Sequence, residues 1–203
     1  MTLNLRSADG GSTAYLFPGQ GSQSVGMGKE LYDNSEAAKS VFKEVDSALG
    51  RPLTDLLFNG HEDALKETVN AQPAIMAVSL ACIKAMQEQL GDSEVPTVSV
   101  IAGHSLGEYT ALAVAGVLDI SQTTWLVNAR SEAMQKACEE NPGTMAAILG
   151  LDEMTMAEIS YQTGTYVSNI NTSEQIVISG ERLAVAQALD LASARGAKKT
   201  IPL

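Results

Sequence analysis

Apolar positions along the 203-residue chain follow one rhythm up to about Asn141 and another after it. In the first part, Thr13 to Phe17 is a short apolar run stopped by Pro18 and the stretch Gly19-Gln20-Gly21-Ser22-Gln23, which predicts a strand running into a loop. Ser35 is placed to cap an amphipathic helix reaching Leu49, with Gly50 as its stop. Pro73, read as a first-turn residue, opens a longer amphipathic helix that ends at Gly91. After Pro96 the β-branched run Thr97 to Ile101, bounded by Gly103, predicts a strand, and the alanine- and leucine-rich run Leu106 to Gly116 a helix. Asp119 with Gln122 three residues on resembles a capping box for a helix running to about Glu140, where Asn141-Pro142-Gly143 breaks it.

Beyond that break strands alternate with shorter helices. Ala146–Leu149, Tyr166–Ile170, Gln175–Ser179 and Lys198–Ile201 read as strands, and Asp152–Tyr161 and Glu181–Ala194 as helices. The order βαββαβ is the split-βαβ, ferredoxin-like arrangement. The chain is therefore expected to be α/β, with a flexible tail over residues 1–12, an α/β lobe over 13–141 and a small lobe over 142–203. Two strands are too few for a covered parallel sheet, which normally has about 4–6. The first lobe thus reads as incomplete, with part of its sheet outside this chain.

Composition narrows the function. A net charge of −11 makes nucleic acid an unexpected partner, since the chain would repel phosphate backbones. The longest near-continuous apolar stretch, Ala111 to Leu118, falls short of the ~20 residues of a bilayer crossing, so no membrane span is expected. The polar, glycine-rich start does not read as a signal peptide, which makes the cytoplasm the expected compartment. Cys82 and Cys138 both sit in helical apolar patterns and are expected to be buried thiols. No metal site is expected.

The chemistry centres on Gly103-His104-Ser105-Leu106-Gly107, which fits the G-x-S-x-G nucleophile elbow. A β-branched strand precedes it and an alanine-rich helix follows, as the sharp strand-to-helix turn requires. The amide of Leu106 at the helix start can face an oxyanion on an attacked carbonyl. The glycine loop around Gln20 is a source for a second donor, although by itself it is only a turn. Serine needs a base, and the chain offers two histidines. His104 adjoins Ser105 and leaves the turn in another direction, so it is expected to line the pocket. His61 lies in an acidic helix start and is expected on the surface. Arg130, in the mostly apolar run Leu126 to Arg130, should have an anion to pair with, either in a structural ion pair or as a fork for a substrate carboxylate.

The stretches Phe17 to Gln23 and Gly103 to Tyr109 together closely resemble the malonyl-CoA:acyl carrier protein transacylases and the related acyltransferase domains of fatty-acid and polyketide synthases. The likeness runs from Ala14 to Leu203 and takes in Gln72 within Ala71-Gln72-Pro73-Ala74, Arg130, and Asn169-Ile170-Asn171. It implies an α/β-hydrolase-like large lobe with a ferredoxin-like small lobe inserted in it. It also implies ping-pong transfer: Ser105 takes malonyl from coenzyme A as an ester and yields it to the phosphopantetheine thiol of acyl carrier protein. On this resemblance the amides of Gln20 and Leu106 form the oxyanion hole, and Arg130 holds the malonyl carboxylate. His104, Gln72 and Asn169 join Arg130 as substrate-binding residues. No cofactor is implied, because the coenzyme A thioester is itself a substrate.

One departure stands out. In the family the catalytic histidine follows the strand resembled here by Lys198 to Leu203, and this chain stops before it. The expectation is a front portion of a transacylase with impaired activity. The competing expectations are a catalytically silent module that docks acyl carrier protein or a synthase partner, using Arg195, Lys198 and Lys199, and a serine thioesterase or esterase.

Overall fold

A computed structural model describes residues 13–91 and 98–203. The tail expected over 1–12 and the strand start at Thr97 lie outside the described residues. Two compact units divide the chain, Met1–Lys136 and Ala137–Leu203.

The first unit holds β1 (Thr13–Phe17), α1 (Lys29–Asn34), α2 (Glu36–Leu49), α3 (Leu53–Asn59), α4 (Glu62–Lys66), α5 (Thr68–Leu90), β2 (Val98–Gly103), α6 (Gly107–Val114) and most of α7 (Ile120–Glu140). The two strands pair parallel, with Phe17 opposite Gly103, so the loop after β1 and the turn after β2 leave the same end of the sheet. That register places the Gln20 loop beside the elbow. Leu16 and Val100 remain 74% and 54% exposed, so this short sheet is only partly covered.

Local chemistry explains several helix ends. The Ser35 side chain accepts from the Ala38 amide at 3.0 Å, and Gly50 closes α2 in the left-handed conformation. Asp119 and Gln122 make the reciprocal capping box: each backbone N–H donates to the other's side chain, at 3.1 and 2.6 Å. α2 and α5 supply much of the core through Val41, Phe42, Val45, Ile75, Met76 and Leu80. Tyr32, Phe42 and Phe58 stack edge to face there at 5.4–5.8 Å between ring centroids.

Two expectations need correction. Pro73 does not open α5; the helix begins at Thr68 and the proline sits inside it. A proline there removes the N–H that would bond the carbonyl four residues back, that of Val69. Arg51 takes that place, its Nη2 donating to the Val69 oxygen at 2.7 Å while Nη1 bonds Asn70 Oδ1 at 2.7 Å. Cys82 and Cys138 are free and exposed, not core. Cys82 lies beyond the packed face of α5, lining an open groove with Leu16 and Val78, and Cys138 lies in the last turn of α7, past its last buried residue, Ser131. α5 is long and apolar enough to cross a bilayer by length and composition alone. Its residues Ala71, Ile75, Met76 and Leu80 are buried in the core of the first unit.

In the second unit β3 (Thr144–Leu149), α8 (Glu153–Thr163), β4 (Tyr166–Thr172), β5 (Gln175–Gly180), α9 (Arg182–Ala194) and β6 (Lys199–Pro202) follow one another. The sheet order is β4-β5-β3-β6, with every pairing antiparallel. Alternate positions turn inward: Ala146 faces Ile178 and Ile148 faces Ile176 across the ladder, all fully buried against Met156 and Ile159 of α8 and Val185 and Ala188 of α9.

Candidate active site

Ser105 occupies a turn between β2 and α6 with φ of 49°, the one non-glycine residue with positive φ among the described residues. A side chain in that left-handed region costs roughly 1–2 kcal/mol, which persists only where the surroundings enforce it. The enforcement is visible on both sides. A Cβ on Gly103 would collide with the backbone of Gly107, and one on Gly107 with the Phe17 carbonyl. The glycines therefore let strand, turn and helix approach more closely than any side chain allows. The turn closes through the Gly107 amide on the His104 carbonyl at 2.8 Å and leaves Ser105 exposed.

The β1 loop is bolted to this turn. The His104 amide donates to the Phe17 carbonyl at 3.0 Å. Gly19 packs so tightly that a Cβ there would lie 2.8 Å from both His104 Nδ1 and its carbonyl oxygen. The loop keeps its own shape through Ser22 Oγ donating to the Gly19 carbonyl at 2.9 Å and the Gly21 amide donating to Gln23 Oε1 at 2.8 Å. Among the described residues the backbone N–H groups of Gln20 and Leu106 have no acceptor, so both donors are available.

Arg130 reaches this turn from α7. Its Nη2 donates to Ser105 Oγ at 2.9 Å, its Nη1 to Gln72 Oε1 at 2.6 Å, and its guanidinium carbon lies 5.4 Å from the centre of the Tyr109 ring. Among the described residues no carboxylate pairs with it. The structural ion pair left open by the sequence is therefore not found there. Gln72 is wholly buried on α5 and also donates from Nε2 to Gln20 Oε1 and to Met134 Sδ, both at 3.3 Å. Gln20 in turn donates to Thr68 Oγ1 at 3.2 Å. One line of hydrogen bonds thus joins Thr68, Gln20, Gln72, Arg130 and Ser105. Nothing in the spacing of these residues announced Thr68, Tyr109 or Met134 as members.

Of the other candidates, His104 is exposed at the elbow beside Gly19. His61 is a surface residue, 78% exposed in its side chain, and caps α4 by accepting from the Asp63 amide at 3.3 Å. Asn169 lies on β4 of the second unit, opposite Val177 of β5. No group of three or more potential metal ligands occurs among the described residues.

A serine held in the left-handed region at a strand-to-helix turn, two available amides and a guanidinium against the hydroxyl thus meet on an α/β chain. Residues 14–202 match the acyl transferase domain, and the chain belongs to that family. Malonyl CoA-acyl carrier protein transacylase of Bacillus subtilis strain 168 is 44% identical over 195 residues, and that of Escherichia coli K12 is 40% identical over 194; each match covers 94% of this chain. The crystal structure of acyl-carrier-protein-S-malonyltransferase from Bartonella henselae superposes with a TM-score of 0.87 at 47% identity, over 95% of this chain and 62% of that one. A type II polyketide-synthase acyl carrier protein in complex with its malonyl-transacylase matches with a TM-score of 0.86 at 40% identity, over 95% of this chain and 62% of that one. The chain spans 60% and 62% of the length of the two curated relatives.

Proposed function

We propose that this chain carries the nucleophile half of a malonyl-CoA:acyl carrier protein transacylase, used in fatty-acid or polyketide synthesis. Ser105 Oγ attacks the malonyl thioester carbonyl; the C–S bond breaks, coenzyme A leaves as the thiol with the serine proton, and a malonyl ester remains on Ser105. The phosphopantetheine thiol of acyl carrier protein then attacks that ester and returns the proton to Ser105. The oxyanion of each tetrahedral intermediate is held by the Gln20 and Leu106 amides.

The observation that carries this reading is the contact of Arg130 with Ser105. A guanidinium at hydrogen-bond distance from the nucleophile suits an acyl group with a carboxylate one methylene from the attacked carbonyl. An acetyl group would leave that guanidinium unpaired on desolvation. His104, beside the elbow, completes the substrate contacts of the first unit in this proposal. In it, residues 13–141 form an α/β-hydrolase-like lobe and 142–203 a ferredoxin-like one, as the β4-β5-β3-β6 order supports. The protein works in the cytoplasm without metal or cofactor.

The base that removes the Ser105 proton belongs, on this reading, to the part of the relatives that this chain does not span. Loss of one member of a serine triad can cost as much as ~10⁶ in kcat, so loading by this chain alone is slow. Intact-protein mass spectrometry after incubation with malonyl-CoA and then holo acyl carrier protein is the test. The expected result is slow formation of a malonyl ester on Ser105 that the carrier discharges, with acetyl-CoA giving far less. Equal loading from both thioesters would sink the proposal, and rapid stoichiometric loading would sink the assignment of the base. Docking as the sole role has less support, since Lys198 already bonds Glu174 at 2.8 Å and Arg195 bonds Glu158 at 3.3 Å.

A further inference from the structure

Arg130 is a cation in a chain with 24 carboxylic side chains, yet everything it touches among the described residues is neutral: an amide, a hydroxyl and an aromatic ring. The amide is the unusual partner. Gln72 is fully buried, so it meets the site only through its own neighbours, and its two ends face in opposite senses. Oε1 accepts from Arg130, while Nε2 donates to Gln20 Oε1 and Met134 Sδ. A glutamate would accept from Arg130 just as well, but two things would change. Its charge would cancel the guanidinium before any substrate arrived, and its second oxygen would confront Gln20 Oε1 and the methionine sulfur with no proton to offer.

We propose that Gln72 is a positioning residue that satisfies one nitrogen of Arg130 without neutralising it. It thereby keeps an uncancelled positive charge beside Ser105 and ties that charge to the loop that donates the Gln20 amide. Selectivity for a carboxylated acyl group over a neutral one then depends on a residue that never meets the acyl group. The inference rests on the functional reading above.

Equilibrium binding of malonyl-CoA and acetyl-CoA, measured by calorimetry on a Ser105→Ala background so that no ester forms, tests it. The background protein binds malonyl-CoA more tightly than acetyl-CoA. Adding Gln72→Glu weakens malonyl-CoA by about tenfold or more and leaves acetyl-CoA within about twofold. Gln72→Leu, which loses the hydrogen bond but keeps the charge, falls between the two for malonyl-CoA. A role in packing alone reverses that ranking, because glutamate preserves shape and the bond to Arg130 while leucine does not, and that reversed ranking overturns the inference. So does malonyl-CoA discrimination that survives Gln72→Glu. Absence of discrimination in the background protein overturns the functional reading and the inference with it. Should Gln72→Glu fail to fold in a thermal melt, Gln72→Leu decides alone: a loss confined to malonyl-CoA supports the role, and unchanged malonyl-CoA affinity overturns it.

Discussion

Arg51 Nη2 donates to the Val69 carbonyl oxygen at 2.7 Å, taking up the acceptor that Pro73, four residues further along α5, leaves without its helical partner. The proline therefore sits inside the helix beside Gln72 with the Val69 carbonyl still partnered. Arg51→Ala strands that oxygen and the Asn70 side chain together. The expected loss in urea unfolding is about 1.5–3 kcal/mol, the range for hydrogen bonds to charged groups. Arg51→Ala and Pro73→Ala should not add: an alanine N–H at 73 can serve Val69, so the double variant loses less than the sum of the singles, which a double-mutant cycle reads directly.

Gly19 has no room for a methyl group, since His104 Nδ1 and the His104 carbonyl oxygen would each lie 2.8 Å from it. Gly19→Ala should push the β1 loop off the elbow at a cost of about 1–3 kcal/mol in a thermal or denaturant melt. On the proposed mechanism the larger effect falls on chemistry, because the Gln20 amide moves with the loop. Mass spectrometry should show loss of Ser105 malonylation in a protein that still folds. A variant that folds and loads normally would show that the Gln20 amide is not needed.

In the second unit, the Asp152 carboxylate accepts from the Thr155 amide at 2.9 Å and from Thr155 Oγ1 at 3.0 Å, and these bonds hold its pKa below the ordinary carboxylate value. A lowered folded-state pKa gives stability that is fully present above the unfolded value of about 3.9 and is lost as the pH falls through the folded one. Asp152→Asn keeps a cap that no longer titrates. Acid unfolding of the variant, followed by circular dichroism, should therefore depend less steeply on pH below about 4 than that of the parent.

Much of this architecture can be read from the chain, and the exceptions have physical reasons. Short apolar runs bounded by turn residues mark β3 and β5, and their pairing puts Ala146, Ile148, Ile176 and Ile178 on one face, so the βαββαβ order is legible from the order of runs and breaks. The elbow is legible because only glycine fits at 103 and 107. α1 and α3 escape notice because neither exceeds seven residues, too short for a helical period to declare itself. The cysteines mislead because an apolar helix face is buried only where something covers it, which local sequence does not record. Pro73 misleads because its rescuer, Arg51, is distant in sequence. The convergence of Gln72, Arg130 and Ser105 spans separations of 58 and 25 residues, and no local pattern carries it.

The backbone at position 105 sets reactivity and durability against each other. Glycine adopts a φ of 49° at no steric cost, so Ser105→Gly should relax the turn and gain a few tenths to about 1 kcal/mol in a thermal melt. That hardier protein would have no hydroxyl to acylate. Screening this chain for heat resistance alone would therefore select against the Ser105 hydroxyl, and any effort to toughen it while keeping the proposed nucleophile has to hold residue 105 fixed and look elsewhere.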